Sequence, residues 1–314
     1  MEENFYTSPK ISPQTMQGLL KKNNQKAFLR FVLLYSLFLA MGIGMVWTWN
    51  QSIILWIGFT LAFGMLMCSL FACQHECIHN TAFKSRRLNQ VVAFITGISY
   101  IYPSTIFKEL HFTHHRHTHE PGLDPEISLG GKPLQSVISN LPFYLTWLSG
   151  FPLFFFKVGM TIVGALGMPD FIRKKLYPFI SSEVRLQVVL ESWVVLAVHL
   201  GILGLSIYVY TGFWGLHIGL LVGHGFLASY TAAEHNGLPH EGSIVEKTRS
   251  IVAPLFVKFL MWNMPYHAEH HSYPAVPFHA LPLLHEEMKE ELKHKDQTHP
   301  NFHWMVLKKT TVGR

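Results

Sequence analysis

Four apolar segments, each long enough to cross a bilayer, limit the folds open to this chain more than any other feature. A membrane-spanning helix needs about 20 apolar residues, and the segments cover residues 28–48, 52–73, 188–209 and 213–233. Only 14% of the 314 residues are charged, against about 25% in an ordinary soluble domain. The sequence therefore predicts an all-α integral membrane protein with four transmembrane helices.

The segments form two pairs, because the connections Trp49–Gln51 and Tyr210–Gly212 are very short. Each pair is predicted to be a helical hairpin. Neither hairpin tip carries Lys or Arg, whereas basic residues cluster at the opposite ends of all four segments. By the positive-inside rule, both termini and the long middle loop are expected in the cytoplasm. The +6 charge flanks apolar segments and does not form the basic face of a nucleic-acid binder.

Two further apolar stretches, 91–106 and 141–168, are too short or too interrupted by Pro and Gly for a clear span. We expect helices in the membrane interface or packed on the bundle, and a spanning alternative for the second stays open. The expected organisation is a cytoplasmic N-terminal segment at 1–27, a membrane domain at 28–290 and a cytoplasmic tail at 291–314. The first apolar segment begins too far along the chain for a cleaved signal peptide, so it is predicted to be a retained anchor.

Histidines with metal-ligand spacing lie just beyond these apolar segments. His75 and His79 are four apart and share one helical face. The pattern HxxHH occurs at 111–115 and again at 267–271, and His235 follows the fourth segment. All are predicted on the cytoplasmic side, so we expect a helical cap that gathers them into one metal centre. The candidate ligands are His75, His79, His111, His114, His115, His235, His267, His270 and His271.

This many imidazoles exceeds what one four-coordinate zinc can use, and imidazole also suits iron, copper and nickel. The number suffices for two metal ions. Carboxylate-rich di-iron bundles use paired Glu-x-x-His motifs, but only Glu76 to His79 has that spacing. A first shell of imidazoles is therefore favoured. Glu76, Glu269 and Glu234 are then expected to accept hydrogen bonds that orient the ligand rings, and Asp124 to fix the loop after the second cluster.

The histidine pattern and its surroundings resemble the membrane fatty acid desaturase superfamily, which also contains hydroxylases and ketolases. The resemblance rests on HECIH at 75–79, HFTHHRHTHEPGLDPE at 111–126 and NMPYHAEHHSYPAVPFHALPLLHE at 263–286, and it extends over about 28–290. It implies a site of two irons bound by the histidines above, O₂ as co-substrate and electrons from a separate ferredoxin or cytochrome b5-like carrier. Some members place an Asn four residues before the histidine that matches His235, and here that residue is Thr231.

The implied activity is the desaturation of a lipid acyl chain. A hydroxylase or ketolase acting on a carotenoid, sterol or acyl lipid is the alternative on the same scaffold. HECIH also matches the HExxH motif of zinc proteases, with Glu76 as general base, but this leaves both HxxHH clusters unused. A metal transporter would need ligands near the bilayer midplane, whereas these clusters lie beyond the ends of the spans.

Overall fold

The computed structural model describes residues 10–312, and these residues are predominantly helical. The helices in chain order are α1 (Pro13–Leu19), α2 (Asn24–Thr48), α3 (Ile53–Ile78), α4 (Arg86–Ser99), α5 (Ser104–Arg116), α6 (Leu141–Leu148), α7 (Phe151–Ala165), α8 (Asp170–Leu176), α9 (Arg185–Tyr208), α10 (Trp214–His235), α11 (Ile244–Lys247), α12 (Leu255–Leu260), α13 (His267–Ser272), α14 (Leu281–Met288) and α15 (His299–Val312). Two antiparallel strands of two residues each, β1 (Ser128–Leu129) and β2 (Lys132–Pro133), lie between α5 and α6.

Four helices are long and apolar enough to cross a membrane: α2, α3, α9, and α10 with the 3-10 turn that precedes it. Side-chain caps begin two of them, since Asn23 accepts a hydrogen bond from Lys26 N (3.0 Å) and Ser52 accepts one from Leu55 N (3.4 Å). Large apolar side chains such as Ile54 remain 79% exposed on their outer faces. Such continuous apolar exposure is expected where lipid, not water, surrounds a helix.

The second span is longer than the sequence indicated, because α3 continues to Ile78 and carries the first histidine cluster at its end. Helix α3 is central and packs against α2, α4 and α10. The second predicted hairpin is not a closely packed pair: α9 and α10 both contact the 3-10 turn between them, but α9 packs chiefly on α7 and α10 on α3.

The stretch predicted as one helix over 91–106 is interrupted, because α4 ends at Ser99 and α5 leaves at 103° to it. The side chain of Gln74 holds this corner: its Nε2 donates to Ala93 O (3.0 Å) and Tyr102 O (3.1 Å). The corner turns the chain so that α5 carries the second histidine cluster toward the end of α3.

The stretch over 141–168 is likewise two helices, α6 and α7, bent by 59°. The bend is at Gly150, whose φ is +77° and whose hypothetical Cβ would lie 2.2 Å from Gly225 N on α10. Only glycine tolerates both the conformation and the close approach. Either bent pair is apolar enough to count as a further, broken span, so the spanning alternative stays open.

Helix α5 has no side-chain cap of its own, because its N-cap residue is Pro103. A carboxylate on α9 takes that place: Glu191 accepts hydrogen bonds from Thr105 N (2.7 Å), Thr105 Oγ1 (2.7 Å) and Ser104 Oγ (3.1 Å). A negative charge at a helix N-terminus is favourable. Helix α9, one of the four candidate spans, therefore fixes the start of the helix that carries the second cluster.

Candidate metal centre

Five histidine side chains from three parts of the chain form a first group. Each offers a ring nitrogen, and these nitrogens all lie within 4.8 Å of one another. His115 Nε2 lies 2.9 Å from His111 Nε2 and 3.1 Å from His270 Nε2. The members are His75, His79, His111, His115 and His270.

A second group lies beside the first and contains His114, His235 and His271, again with nitrogens within 4.8 Å. His267 adjoins it, since its Nε2 is 2.8 Å from His235 Nε2. All nine histidines singled out in the sequence thus lie in these two groups or in contact with them. Adjacent residues of the second and third clusters are divided between the groups, because His114 and His115 belong to different ones.

The nitrogen geometry fits metal binding. Two nitrogens that each lie ~2.1 Å from one metal ion are ~3 Å apart when their bonds to the metal form a right angle. This distance is close to the 2.8–3.3 Å separations between Nε2 atoms here. Among residues 10–312, the buried atoms His75 Nδ1 and Nε2 and His79 Nε2 have no hydrogen-bond partner. Buried polar atoms normally have one, and a bound metal would supply it for one nitrogen of each ring.

Groups behind the rings select which nitrogen faces the centre. The carbonyl of Lys247 accepts a hydrogen bond from His235 Nδ1 (3.0 Å). The carboxylate of Asp124 lies 2.9 and 3.0 Å from His114 Nδ1. Thr118 Oγ1 is 3.2 Å from His271 Nδ1. Because Nδ1 is engaged in each case, Nε2 is left to bind a metal.

Burial sets the charge of most of these rings. It lowers the pKa of His111 and His115 well below the usual range, and the neighbouring imidazoles lower it further. Burial, followed by the proximity of His114, lowers the pKa of His270 to about 3. These rings are therefore neutral at pH 7, which is the form that binds metal.

His114 differs because it faces carboxylates. Burial alone would lower its pKa, but Asp124 and Glu126 outweigh burial and raise it to about 9. Conversely, burial would raise the pKa of Asp124, and the ion pair with His114 brings it below the usual range. Without metal, His114 thus carries a second proton, which a metal ion at Nε2 must displace.

The acidic residues expected to orient the rings are placed differently from one another. Glu76 Oε1 lies 3.9 Å from His75 Nδ1, too far for a hydrogen bond, while its Oε2 accepts from Thr81 Oγ1 (2.7 Å) and Phe278 N (3.1 Å). Glu269 is bonded to Ser250 and His285. Both carboxylates link separate segments of the chain in this structure, and neither hydrogen-bonds a candidate ligand.

Glu234 and Asp124 are closer to the predicted role. Glu234 Oε1 lies 3.6 Å from His267 Nδ1. Asp124 both contacts His114 and accepts hydrogen bonds from the backbone N–H groups of His119 and Glu126, at 2.7 and 2.9 Å. It therefore orients a ring and fixes the loop at once.

Other positions depart from the sequence reasoning. Thr231 Oγ1 donates to Leu227 O (3.0 Å) within its own helix, so its hydroxyl is engaged away from the histidines. His119, which extends the second cluster, is 5% exposed, with Nδ1 2.9 Å from Pro239 O. Glu191 and Lys157 belong to none of the motifs, although each is an ionisable residue within an apolar stretch, a signal that often marks function.

The chain is similar to known proteins over most of its length. The model of the fatty acid desaturase family matches residues 50–301. The chain is 25% identical to a sphingolipid delta(4)-desaturase of Arabidopsis thaliana, over 78% of this chain and 67% of the relative. It is 28% identical to the sphingolipid delta(4)-desaturase/C4-monooxygenase of Homo sapiens, over 82% and 71%. It is 23% identical to an sn-1 oleoyl-lipid 12-desaturase of Anabaena variabilis, over 84% and 78%. The chain belongs to the fatty acid desaturase family.

Proposed function

We propose that this chain is an O₂-dependent membrane lipid desaturase whose nine clustered histidines hold two iron ions. The observation that carries the proposal is the pair of adjacent imidazole groups, one of five rings and one of three joined by His267. Three relatives that are lipid desaturases by name support the reaction class. Bound iron would supply the activation of O₂ that removal of hydrogen from an unactivated CH₂ group requires.

The reaction consumes electrons from outside the chain. Two hydrogens leave neighbouring carbons of the lipid, and two electrons with two protons complete the reduction of O₂ to two waters. A ferredoxin or a cytochrome b5-like carrier is the expected donor. We place both termini, the metal centre and this carrier in the cytoplasm, because basic residues flank that side of every span. The protein is then multi-pass, with its four spans arranged as two hairpins.

The chain's own residues hold the geometry. Asp124, the Lys247 carbonyl and Thr118 orient three rings, and Glu191 anchors α5. Phe107 packs against the first group, since its ring lies 5.3 Å from that of His111, and Phe71 packs on Phe107 with the ring centroids 5.3 Å apart. These apolar rings are suited to exclude water from the reacting carbons.

Hydroxylation is the second candidate, favoured by the human relative's name, which includes a C4-monooxygenase activity. The two outcomes diverge after the first hydrogen is removed, and small differences in placement decide between them. A zinc protease is disfavoured because His75 and His79 converge with His111, His115 and His270. That convergence leaves no reason for an isolated HExxH site.

Metal content per chain tests the proposal. Protein purified from iron-replete cells should contain about two irons, and His114→Ala and His270→Ala, one from each group, should each lower that number by at least one. His303→Ala is the matched control, because His303 bonds Ser229 and Tyr144 outside both groups, and should keep both irons. One zinc per chain, unaffected by His270→Ala, would overturn the di-iron proposal. Lipid from an expressing host should lose two hydrogens, whereas a gain of one oxygen would establish hydroxylation.

A further inference from the structure

An apolar cavity lies in the half of the bundle that is farther from the metal centre. Its volume is about 740 Å³, within the ~300–1,000 Å³ that is typical of ligand pockets. Residues of α2 and α9 form its two sides, and Phe63 of α3 and Leu220 of α10 form its back. Helix α2 packs on α3 and α10, whereas α9 packs chiefly on α7, so the two sides are held apart. The mechanism outlined above does not use this cavity.

Packed aromatic rings separate the cavity from the histidine groups. Phe63 precedes His75 by 12 residues of α3, which is ~18 Å along the helix axis. Ser99 lines the end of the cavity that is nearer to the metal centre, the inner end. The next residue, Tyr100, is fully buried, and its ring lies 6.4 Å from that of Phe71, which stands between Phe63 and His75 on α3. The cavity is therefore a site distinct from the metal centre.

The length of the cavity matches one leaflet of a bilayer. On α2 it extends from Tyr35 to Trp47, ~18 Å along the helix axis, against ~15 Å for half of the ~30 Å hydrocarbon core. Leu39 and Ile43, which line its open side, are 48% and 71% exposed, so the cavity opens sideways to the lipid that would surround α2. A long, apolar and laterally open space of this kind fits a hydrocarbon chain that lies along the helix.

The inner end of the cavity has no polar group to offer a ligand. The hydroxyl groups of Tyr35 and Ser99 hydrogen-bond each other (3.2 Å), and His199 Nε2 donates to Ile98 O (2.7 Å). Within residues 10–312 the other ring nitrogen, His199 Nδ1, has no hydrogen-bond partner, but this atom is buried and does not face the open space. The inner end therefore suits the methyl end of a chain.

The outer end of the cavity is polar. It lies at the tips of the two predicted hairpins, where Trp47, Gln51 and Tyr210 line it, and Trp47 and Tyr210 are 63% and 37% exposed. Trp and Tyr are enriched where a bilayer meets water, and their N–H and O–H groups donate hydrogen bonds to acceptors such as ester carbonyls. The head group of a lipid is therefore expected at this end.

We propose that this cavity binds one acyl chain of a glycerophospholipid from the leaflet farther from the metal centre, with its ester group near Trp47 and Tyr210 and its methyl end near Tyr35 and Ser99. The bound chain fills the gap between α2 and α9. Because α9 also holds the start of α5 through Glu191, the lipid supports the helix on which the second histidine cluster lies. The inference rests on the proposed spans and does not depend on the reaction or the metal.

Photo-crosslinking to the full-length protein in nanodiscs tests the proposal. The probes are two phosphatidylcholines that carry a diazirine on one palmitoyl chain, near its methyl end or near its ester group, and mass spectrometry locates the adducts. The methyl-end probe should label Phe38 and Phe63, which line the cavity and are 5% and 4% exposed, more strongly than Leu37, which is 40% exposed and lies outside it. The ester-end probe should label Trp47 and Tyr210. Lipid that only surrounds the bundle would label Leu37 more strongly than the two buried rings.

Two variants fill the cavity from opposite sides, so that one variant that does not fold still leaves a test. Val46→Trp on α2 and Ile202→Trp on α9 should each lower the labelling of Phe38 and Phe63 at least ~10-fold, because the added indole occupies the space that the chain needs. Leu37→Trp is the matched control and should keep the labelling, since Leu37 is nine positions from Val46 and lies on the opposite face of α2.

Three results would overturn the inference. The first is labelling of Phe38 and Phe63 that is no stronger than that of Leu37 in the wild-type protein. The second is labelling that persists in the folded Trp variants of α2 and α9. The third is the appearance of methyl-end adducts chiefly at Phe71 and Phe107, which would assign the cavity to the tail of a lipid that reaches toward the metal centre.

Discussion

Glu191 allows the sharpest test of how the bundle positions the metal centre. Its carboxylate accepts hydrogen bonds from Thr105 N, Thr105 Oγ1 and Ser104 Oγ at the start of α5, and from Gln187 Nε2 (3.0 Å) on its own helix. The residue is 7% exposed, so water cannot replace these bonds. Removing Glu191 therefore leaves buried donors unsatisfied at the N-terminus of the helix that carries His111, His114 and His115.

The magnitude follows from the bonds that are lost. Glu191→Gln keeps one carbonyl acceptor but removes the charge and the second acceptor, and should cost about 1–2 kcal/mol. Glu191→Ala removes every acceptor and should cost about 3–4 kcal/mol, because unsatisfied buried donors cost about 1–3 kcal/mol each and are not additive. A decrease of about 1.4 kcal/mol in the free energy of opening α5 speeds its amide hydrogen exchange about tenfold.

Hydrogen–deuterium exchange of the purified protein measures this directly. Amides of α5 should lose about tenfold protection in Glu191→Gln and more in Glu191→Ala, while amides of α2, which does not contact Glu191, serve as the internal control. Iron content should fall in the same order. Unchanged protection of α5 in Glu191→Ala would refute the reasoning that α9 anchors this helix.

Two further predictions concern the second histidine group and the α6–α7 bend. Because the pKa of His114 is about 9 without metal, iron binding below that pH displaces one proton. The apparent affinity for iron should therefore rise about tenfold per pH unit between pH 6 and 8. Asp124→Asn should flatten that slope, and an unchanged slope in the variant would contradict the ion-pair account. Gly150→Ala should destabilise the protein by more than about 2 kcal/mol in thermal unfolding, because the added Cβ would lie 2.2 Å from Gly225 N and the residue has φ +77°. Gly159→Ala is the control: nothing lies within 4 Å of its added Cβ, so this variant should be neutral or slightly stabilising.

The four candidate spans and the convergence of the histidine clusters could be predicted because each has a local signal. An uninterrupted apolar run predicts a span, and i, i+3, i+4 spacing predicts ligands on one face. The helices found at Asn24–Thr48, Ile53–Ile78, Arg185–Tyr208 and Thr211–His235 overlap the four predicted segments. The division of His114 and His115 between two groups has no such signal, because it depends on where α13 and the end of α10 arrive in space.

The interrupted stretches and the supporting groups were harder to predict for the same reason. The corner after Ser99 depends on Gln74, and the bend at Gly150 on Gly225, contacts between residues far apart in sequence. Glu76 and Glu269 were expected beside ligand rings because of their positions in the motifs. Their hydrogen bonds to Thr81, Phe278 and His285 are decided by tertiary packing.

The division of neighbouring histidines between the two groups has a consequence for biogenesis. Each group combines residues from the second cluster with residues from the third, and these clusters are separated by more than 150 positions of chain (|i−j| is 155 for His115 and His270). Neither group is complete until His267–Ser272 has left the ribosome, although all four candidate spans and the first two clusters are by then already made. If the two groups hold iron as proposed, metal uptake is a late event that needs nearly the whole chain, and nascent chains arrested before α13 should insert into the membrane without acquiring iron.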